Sequence, residues 1–371
     1  MRVLKTKKAG KVIFFAVFLV VICAAWILWI PLSQVMDTYN YEFRELRGMP
    51  GIASPEEYRE FPGEFEGFLS DHVPFRNQLV TLNSALNYYV FGQGNDKVAA
   101  GKDGWLFYCY SSDGDPIACY QGANLLTEEE LKSLADNCVR QRDYLRDRGI
   151  EFVIFIAPNK ERIYPEYMPD KYGPPAENSR VQQIVDYLRE NTDLRVVYPY
   201  DELMEAKASL DVDIYYKTDT HWNYIGGYVG SRALLRELGI EMPELSQLTI
   251  AEDGYKTGDL ARTVGMGSLL KSTNYSVSGY DDHGAESQGE FDDVYWYKAE
   301  GADPRKLYMN RDSFFVSMLP FVQSQFNESY TKYHATYLYD DFDAQQPDIF
   351  VYECVERYAD SLARFRVEYG K

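Results

Sequence analysis

Only four histidines, His72, His221, His283 and His334, occur in the 371 residues, so each can be weighed singly. His221 stands in Lys217-Thr218-Asp219-Thr220-His221-Trp222-Asn223, with Asp219 two residues upstream. In a loop at a strand end, that spacing lets the carboxylate reach one imidazole nitrogen within a single turn. The bond fixes the tautomer and stabilises an imidazolium, while the other nitrogen faces outward as a base. Taken alone, the same spacing also describes an ordinary hydrogen bond inside a turn. Ser313 stands in Arg311-Asp312-Ser313-Phe314, after a short apolar strand and at the start of a helical stretch. Amides at a helix N-terminus can hold a developing oxyanion, and a serine hydroxyl becomes a nucleophile once a base takes its proton. Taken alone, Ser313 would cap its helix. Asp219, His221 and Ser313 gain meaning together, as the acid, base and nucleophile of an acyl transfer.

Those residues need a frame that brings them to one rim. Thr127 to Asp147 reads as a helix, with Thr127 as cap and Glu130 at the capping-box position. Phe152–Ala157 (FVIFIA) is a continuous apolar strand, so buried on both faces. Arg180–Glu190 and Tyr224–Leu238 read as helices, Leu194–Tyr198 as a strand, and Ile214–Tyr216 leads into the His221 loop. Leu307–Met309 is a short strand, Ser313–Phe326 looks helical, Ala335–Tyr339 and Ile349–Tyr352 read as strands, and a last helix starts near Val355. Strands alternating with helices imply an α/β fold with a mainly parallel sheet covered on both faces, and sites in such sheets form at the carboxyl ends of the strands. The alternation fails between about 241 and 305, a polar, Gly- and Tyr-rich stretch that reads as a long irregular insertion beside the site. Residues 64–90 show broken helical periodicity, and Gly101–Tyr108 (GKDGWLFY) pairs a turn with a short strand.

Several stretches resemble the AlgX/AlgJ-type and DHHW-related families of SGNH hydrolase-like proteins. They are GKDGWLFY at 101–108, APNKERIYPEYMP at 157–169, TDTHWN at 218–223, GDL at 258–260, RDSF at 311–314 and PDIFVYECVER at 347–357. TDTHWN is the most specific, and it resembles the alginate-acetylation branch more than the DHHW branch because Thr220 occupies the first His position. The resemblance implies an SGNH-like three-layer α/β/α sandwich, with Asp219, His221 and Ser313 as the triad. It implies acetyl transfer to, or removal from, an exported polysaccharide, with the acetyl donor supplied by a separate membrane acyltransferase. One departure stands out: SGNH enzymes carry Gly-Asp-Ser where this chain has Arg311-Asp312-Ser313. Arg311 would then present a cation to the acyl oxygen or the sugar.

Further candidates follow strand ends. Asn159 and Lys160, just after Phe152–Ala157, could donate to an oxyanion, bind substrate or simply shape a turn. Arg357, after the last strand, could act similarly. Trp222 either stacks on a sugar or packs the His221 loop. Asp312 reads as a loop-fixing residue. The sequence has no G-x-x-x-x-G-K-[ST], H-E-x-x-H or G-x-G-x-x-G. A metal site on Asp219 and His221 would lack evident further ligands, so neither metal nor cofactor is expected.

The N-terminus bears Arg2, Lys5, Lys7, Lys8 and Lys11, then an unbroken apolar run from Val12 to Ile30 with Trp26 and Trp29 near its end. Nineteen apolar residues can cross a bilayer, and the basic flank stays cytoplasmic. No small-residue cleavage site closes the run, which favours a retained anchor over a cleaved signal peptide. The expected organisation is a leader at 1–11, an anchor at 12–30, an extracytoplasmic stalk at 31–100 and the hydrolase-like domain at 101–371. The net charge is −19, and outside the five basic residues of the leader the balance is 33 Lys+Arg against 57 Asp+Glu, or −24. Such a surface repels nucleic acid, which excludes it as a partner. Among five cysteines, Cys109 and Cys119 are close enough in sequence to bridge a short loop in an exported domain. Two function classes remain from the sequence: a polysaccharide O-acetyltransferase or acetylesterase, and a catalytically inactive glycan-binding or assembly protein with the same fold.

Overall fold

The computed structural model describes residues 2–36, 45–291, 293–334 and 339–367. The strands in chain order are β1 (Val98–Ala100), β2 (Leu106–Tyr108), β3 (Glu151–Ala157), β4 (Arg195–Val197), β5 (Thr249–Lys256), β6 (Ser272–Ser278), β7 (Glu286–Phe291), β8 (Val294–Lys298), β9 (Asp303–Arg311), β10 (Phe326–Tyr333) and β11 (Ile349–Val355). Seven form one sheet in the order β4-β3-β11-β9-β10-β8-β7. The pairs from β4 to β10 are parallel, while β8 joins β10 and β7 antiparallel. The small pairs β1–β2 and β5–β6 are antiparallel hairpins.

The period-2 geometry of β3 explains its unbroken apolar sequence. Phe152, Ile154 and Ile156 enter one core cluster, and Val153, Phe155 and Ala157 enter the other, so both faces are covered. Helices Glu128–Arg146 and Arg180–Asn191 lie on the first face, burying Leu131, Leu134, Cys138, Val181, Ile184 and Leu188. Helix Tyr224–Glu237 covers the second. The result is a three-layer α/β/α sandwich. The Thr127 side chain accepts from the Glu130 N–H while the Glu130 carboxylate accepts from the Thr127 N–H, the reciprocal capping box expected there.

Three stretches differ from expectation. Residues 313–326 do not form one helix: a 3-10 turn at Ser313–Ser317 gives way to a short helix, Leu319–Gln323, with Pro320 in its first turn. Proline has no N–H to continue a helix from the preceding turn. Phe326–Tyr333 is then a strand whose buried Ser329 and Thr331 hid it from a hydrophobicity reading. Residues 241–305 are not irregular. They hold β5–β6 and the β7–β8 pair, which extends the main sheet. Of the strand expected at Ala335–Tyr339, residues 335–338 lie outside the described residues, and Tyr339 opens the helix Tyr339–Gln345.

The chain divides into two compact units, 1–92 and 93–371. In the first, helix Arg2–Leu32 contains a span, Lys11–Leu32, long and apolar enough to cross a membrane, and runs one residue beyond Pro31. Helices Pro55–Asp71 and Arg76–Phe91 follow. All described cysteines are free thiols, so the expected Cys109–Cys119 bridge is not formed. Cys119 Sγ instead accepts from Asn124 and Arg180, and the Cys109 thiol faces the Asp96 carbonyl.

Candidate active site

The loop bearing His221 is pinned at its base. Tyr215 and Trp222 form an isolated antiparallel bridge, and Asn223 caps the following helix by accepting from the Ile225 and Gly226 amides. From below, Lys160 Nζ donates to the carbonyls of Tyr216, Lys217 and Asp219 at 3.2, 3.3 and 2.5 Å. From the side, the Thr218 N–H donates to Ser272 Oγ, and the Ala261 N–H donates to the Thr218 carbonyl. Gly258 passes so close that a Cβ there would lie 1.9 Å from the Thr218 oxygen, so only glycine fits.

Within this loop, Asp219 Oδ1 accepts from the His221 amide at 3.1 Å and stands 2.5 Å from His221 Nδ1. Asp219 Oδ2 accepts from the Asp259 N–H at 3.1 Å and faces Lys256 Nζ at 3.4 Å. On the other side of the imidazole, His221 Nε2 lies 2.7 Å from Ser313 Oγ. The three residues are thus brought into one hydrogen-bonded line, with Nδ1–H directed at the carboxylate and Nε2 left to accept the serine proton.

Burial disfavours the charged form of His221, but the Asp219 carboxylate outweighs it and holds the imidazole above its ordinary pKa. Burial likewise favours neutral Asp219. The charge and hydrogen bonds of His221, with Lys256, override it and keep the carboxyl well below the usual carboxylate range. An anionic Asp219 beside a basic imidazole is what proton removal from a serine requires.

Ser313 follows β9 directly. Asp312 fixes the turn: its Oδ1 accepts from the Phe314 amide at 2.8 Å, its Oδ2 from the Val355 amide at 2.7 Å, and its own N–H donates to Glu353 Oε2 at 2.6 Å. Burial and the neighbouring Asp312 charge push the Glu353 carboxyl well above its ordinary pKa.

The other candidates fall at the same strand ends but in different roles. Lys160 is buried after β3, and an ammonium has three N–H bonds. All three find carbonyls, so Lys160 is committed to the loop and not to an oxyanion or substrate. Burial brings its pKa down to about 8, against the raising effect of Glu161, Asp259 and Asp219. Asn159 is buried beside it; its amide donates to Glu356 Oε2, and its side-chain oxygen has no partner among the described residues. Trp222 has no exposed surface, packs against Phe155, Tyr215 and Phe314, and donates to the Phe314 carbonyl. A buried indole offers no face to a sugar, so it packs the loop. Arg311 is buried too: its guanidinium lies over Tyr295 and Tyr333 and donates to the Asp293 carbonyl. It ties β9 to the outer strands instead of presenting a cation to an acyl group. Arg357 lies 5.7 Å from the ring of Phe314, the residue after Ser313, and over the rings of Tyr108 and Tyr358.

Sequence reasoning missed three contributors. Asp259 Oδ1 accepts from the Thr220 amide and Oδ2 from the Thr220 hydroxyl, and Lys256 faces Asp219. Both come from the stretch read as an irregular insertion. Glu353 left a signal: it is a lone carboxyl inside the apolar strand Ile349–Val355. Asp219, His221 and Asp259 bring three potential ligand atoms within 4.8 Å of one another. Their oxygens already accept from His221, Thr220 and backbone N–H groups, so the cluster reads as a hydrogen-bonded relay.

Residues 98–294 match the family model of the SGNH hydrolase-like domain, acetyltransferase AlgX. The chain belongs to this family. The match takes in the whole His221 loop and Asp259 and ends before Ser313. Among curated relatives, the probable alginate O-acetylase AlgJ of Pseudomonas aeruginosa is 26% identical over 239 residues, covering 61% of this chain and 54% of that protein. The AlgJ of Pseudomonas fluorescens is 27% identical over 180 residues, covering 48% and 42%. The chain therefore spans about half the length of the curated relatives it matches. Among solved structures, Bacillus cereus PatB1 superposes with a TM-score of 0.52 at 15% identity, covering 73% of this chain and 100% of PatB1. A DHHW family protein from Eubacterium siraeum gives 0.50 at 14%, covering 62% and 88%. At such identities these two speak for the fold alone, and that fold is the SGNH-like sandwich described above.

Proposed function

We propose that this chain is an O-acetyltransferase acting on an exported polysaccharide through Ser313, His221 and Asp219. The observation that carries the reading is the line from Asp219 Oδ1 through His221 to Ser313 Oγ, with contacts of 2.5 and 2.7 Å. Names of relatives agree with it, since those quoted are probable alginate O-acetylases.

In this scheme Ser313 Oγ attacks the carbonyl carbon of an acetyl ester while His221 Nε2 takes its proton. The tetrahedral intermediate collapses, the donor oxygen leaves with the proton from His221, and an acetyl-serine remains. A sugar hydroxyl then attacks that ester, gives its proton to His221, and leaves acetylated; the proton returns to Ser313. Asp219 keeps Nδ1–H oriented and balances the imidazolium in both halves. Arg357 and Asn159 are the proposed helpers for substrate or oxyanion. The basic leader and apolar span form a single-pass anchor, with 31–100 as an extracytoplasmic stalk and 101–371 as the catalytic part. The acetyl donor reaches Ser313 from a separate membrane acyltransferase.

The test is incubation of the full chain with an acetyl ester donor, with and without candidate oligosaccharides, followed by mass spectrometry. Acetylated oligosaccharide formed by wild type and lost in Ser313→Ala supports the proposal. Free acetate alone would make the enzyme an esterase. No turnover with retained oligosaccharide binding would favour the inactive glycan-binding protein.

A further inference from the structure

Behind the nucleophile lies a pair of buried carboxyl groups that the acyl-transfer scheme does not use. Glu353 sits on β11, paired with Phe155 of β3, and has no exposed surface. Its Oε2 accepts the Asp312 N–H at 2.6 Å, while its Oε1 is buried and no N–H among the described residues reaches it. Asp312 differs. Each of its oxygens accepts a backbone N–H, from Phe314 and Val355, which is the pattern of a carboxylate. Two adjacent acids in a dry site cannot both ionise. The charge belongs where the donors are, on Asp312, and the proton on Glu353.

A protonated Glu353 completes the pattern. One oxygen accepts the Asp312 amide, and the other carries a hydrogen whose natural acceptor is the Asp312 carboxylate. Glu353 would then hold residue 312 at both main chain and side chain, and Asp312 in turn holds Phe314, so Ser313 is clamped from both sides. The groups facing the pair are Arg311 from β9, Tyr333 from β10, His334 just after it, Tyr352 and Cys354 from β11 and Arg357 beyond its end; β3 offers Phe155, which is apolar.

Resting on the serine reading above, we infer that Glu353 is a positioning residue: a neutral acid at the end of β11 that fixes the Asp312 turn and so aims Ser313 Oγ at His221. The chemistry predicts an asymmetry between substitutions. Glu353→Gln keeps one acceptor for the Asp312 amide and one donor for the Asp312 carboxylate. Glu353→Leu keeps the volume and removes both.

The experiment measures the rate of fluorophosphonate labelling of the full chain across pH, with circular dichroism as a fold check, in wild type, E353Q, E353L and S313A. Labelling by E353Q within about threefold of wild type, and slowing of at least tenfold in folded E353L with the pH midpoint unmoved, supports the clamp. E353Q as slow as E353L would show that a charged carboxylate is required and would overturn it, as would E353L labelling at the wild-type rate. If E353L does not fold, infrared difference spectroscopy of wild type against E353Q decides. A protonated carboxylic C=O stretch at neutral pH that vanishes in E353Q supports the neutral acid, and its absence from wild type overturns it. Labelling that persists in S313A would instead refute the serine reading itself.

Discussion

Replacing Asp219 by Asn tests the relay at its most constrained point. The carboxylate serves two sets of donors: Oδ1 takes the His221 ring and amide, and Oδ2 takes the Asp259 amide and faces Lys256. An amide can satisfy only one set. With its oxygen toward His221, its NH2 meets the Asp259 N–H and the Lys256 ammonium, donor against donor. Flipped, its NH2 meets Nδ1, which forces the imidazole to carry its hydrogen on Nε2, where the Ser313 proton must go. Either arrangement removes the negative charge that stabilises the imidazolium. Loss of tautomer control and charge together costs on the order of 10³- to 10⁴-fold in kcat. That corresponds to about 4–5.5 kcal/mol of barrier. The assay is release of acetate from an acetyl ester by Asp219→Asn, with circular dichroism as a fold control. Because the carboxylate holds the His221 pKa up, the rising limb of the pH profile should also move to lower pH. Activity within threefold of wild type and an unmoved limb would refute the role given to Asp219.

Wild-type activity should rise with pH about a midpoint above the ordinary imidazole value of roughly 6.5, since a raised pKa keeps His221 protonated and unable to act as base for longer; a pH–rate profile of kcat/KM checks this. The depressed carboxyl of Asp219 stabilises the fold above its unfolded pKa, so the stability gap between wild type and D219N should shrink as pH falls below about 3.9, read by urea unfolding. Lys160→Met orphans three loop carbonyls and should destabilise on the order of 3 kcal/mol while lowering kcat more than it raises KM, measured by urea unfolding and steady-state kinetics. Trp222→Ala empties a fully buried site and should cost about 3–5 kcal/mol by the same unfolding assay. Protein prepared without reductant and then denatured should titrate five free thiols; a linked Cys109–Cys119 peptide would contradict this.

The parts of the fold that follow a period were legible from residues alone. Phe152–Ala157 and Ile349–Tyr352 could hardly be other than buried strands, though the second runs on through Glu353 to Val355, and Thr127 with Glu130 announced the helix start. The Asp219 and His221 pairing was legible because it is local, two residues within one turn. Its meeting with Ser313, 92 residues away, was reachable only through the rule that parallel sheets gather their loops at one rim. What escaped was set by tertiary context. β10 is a strand of buried hydroxyls, stabilised by its neighbours on both sides instead of by an apolar pattern. The long cations Lys160 and Arg311 sit at the expected strand ends. Sequence position does not say whether a flexible cation turns outward to substrate or inward to carbonyls and rings, and here both turn inward. Asp259 and Lys256 reach the relay from a segment whose polar composition read as an irregular insertion.

The most direct test of the central claim is to trap the acyl-enzyme. The full chain would be mixed with an acetyl ester donor in the absence of acceptor, quenched in acid within the first turnover, and analysed by intact-mass and peptide mass spectrometry. One acetyl group per chain, mapped to the peptide bearing Ser313 and discharged on adding acceptor oligosaccharide, is the result this mechanism predicts. An acetyl group on another residue, or turnover with no acetylated chain in either wild type or His221→Ala, would contradict it.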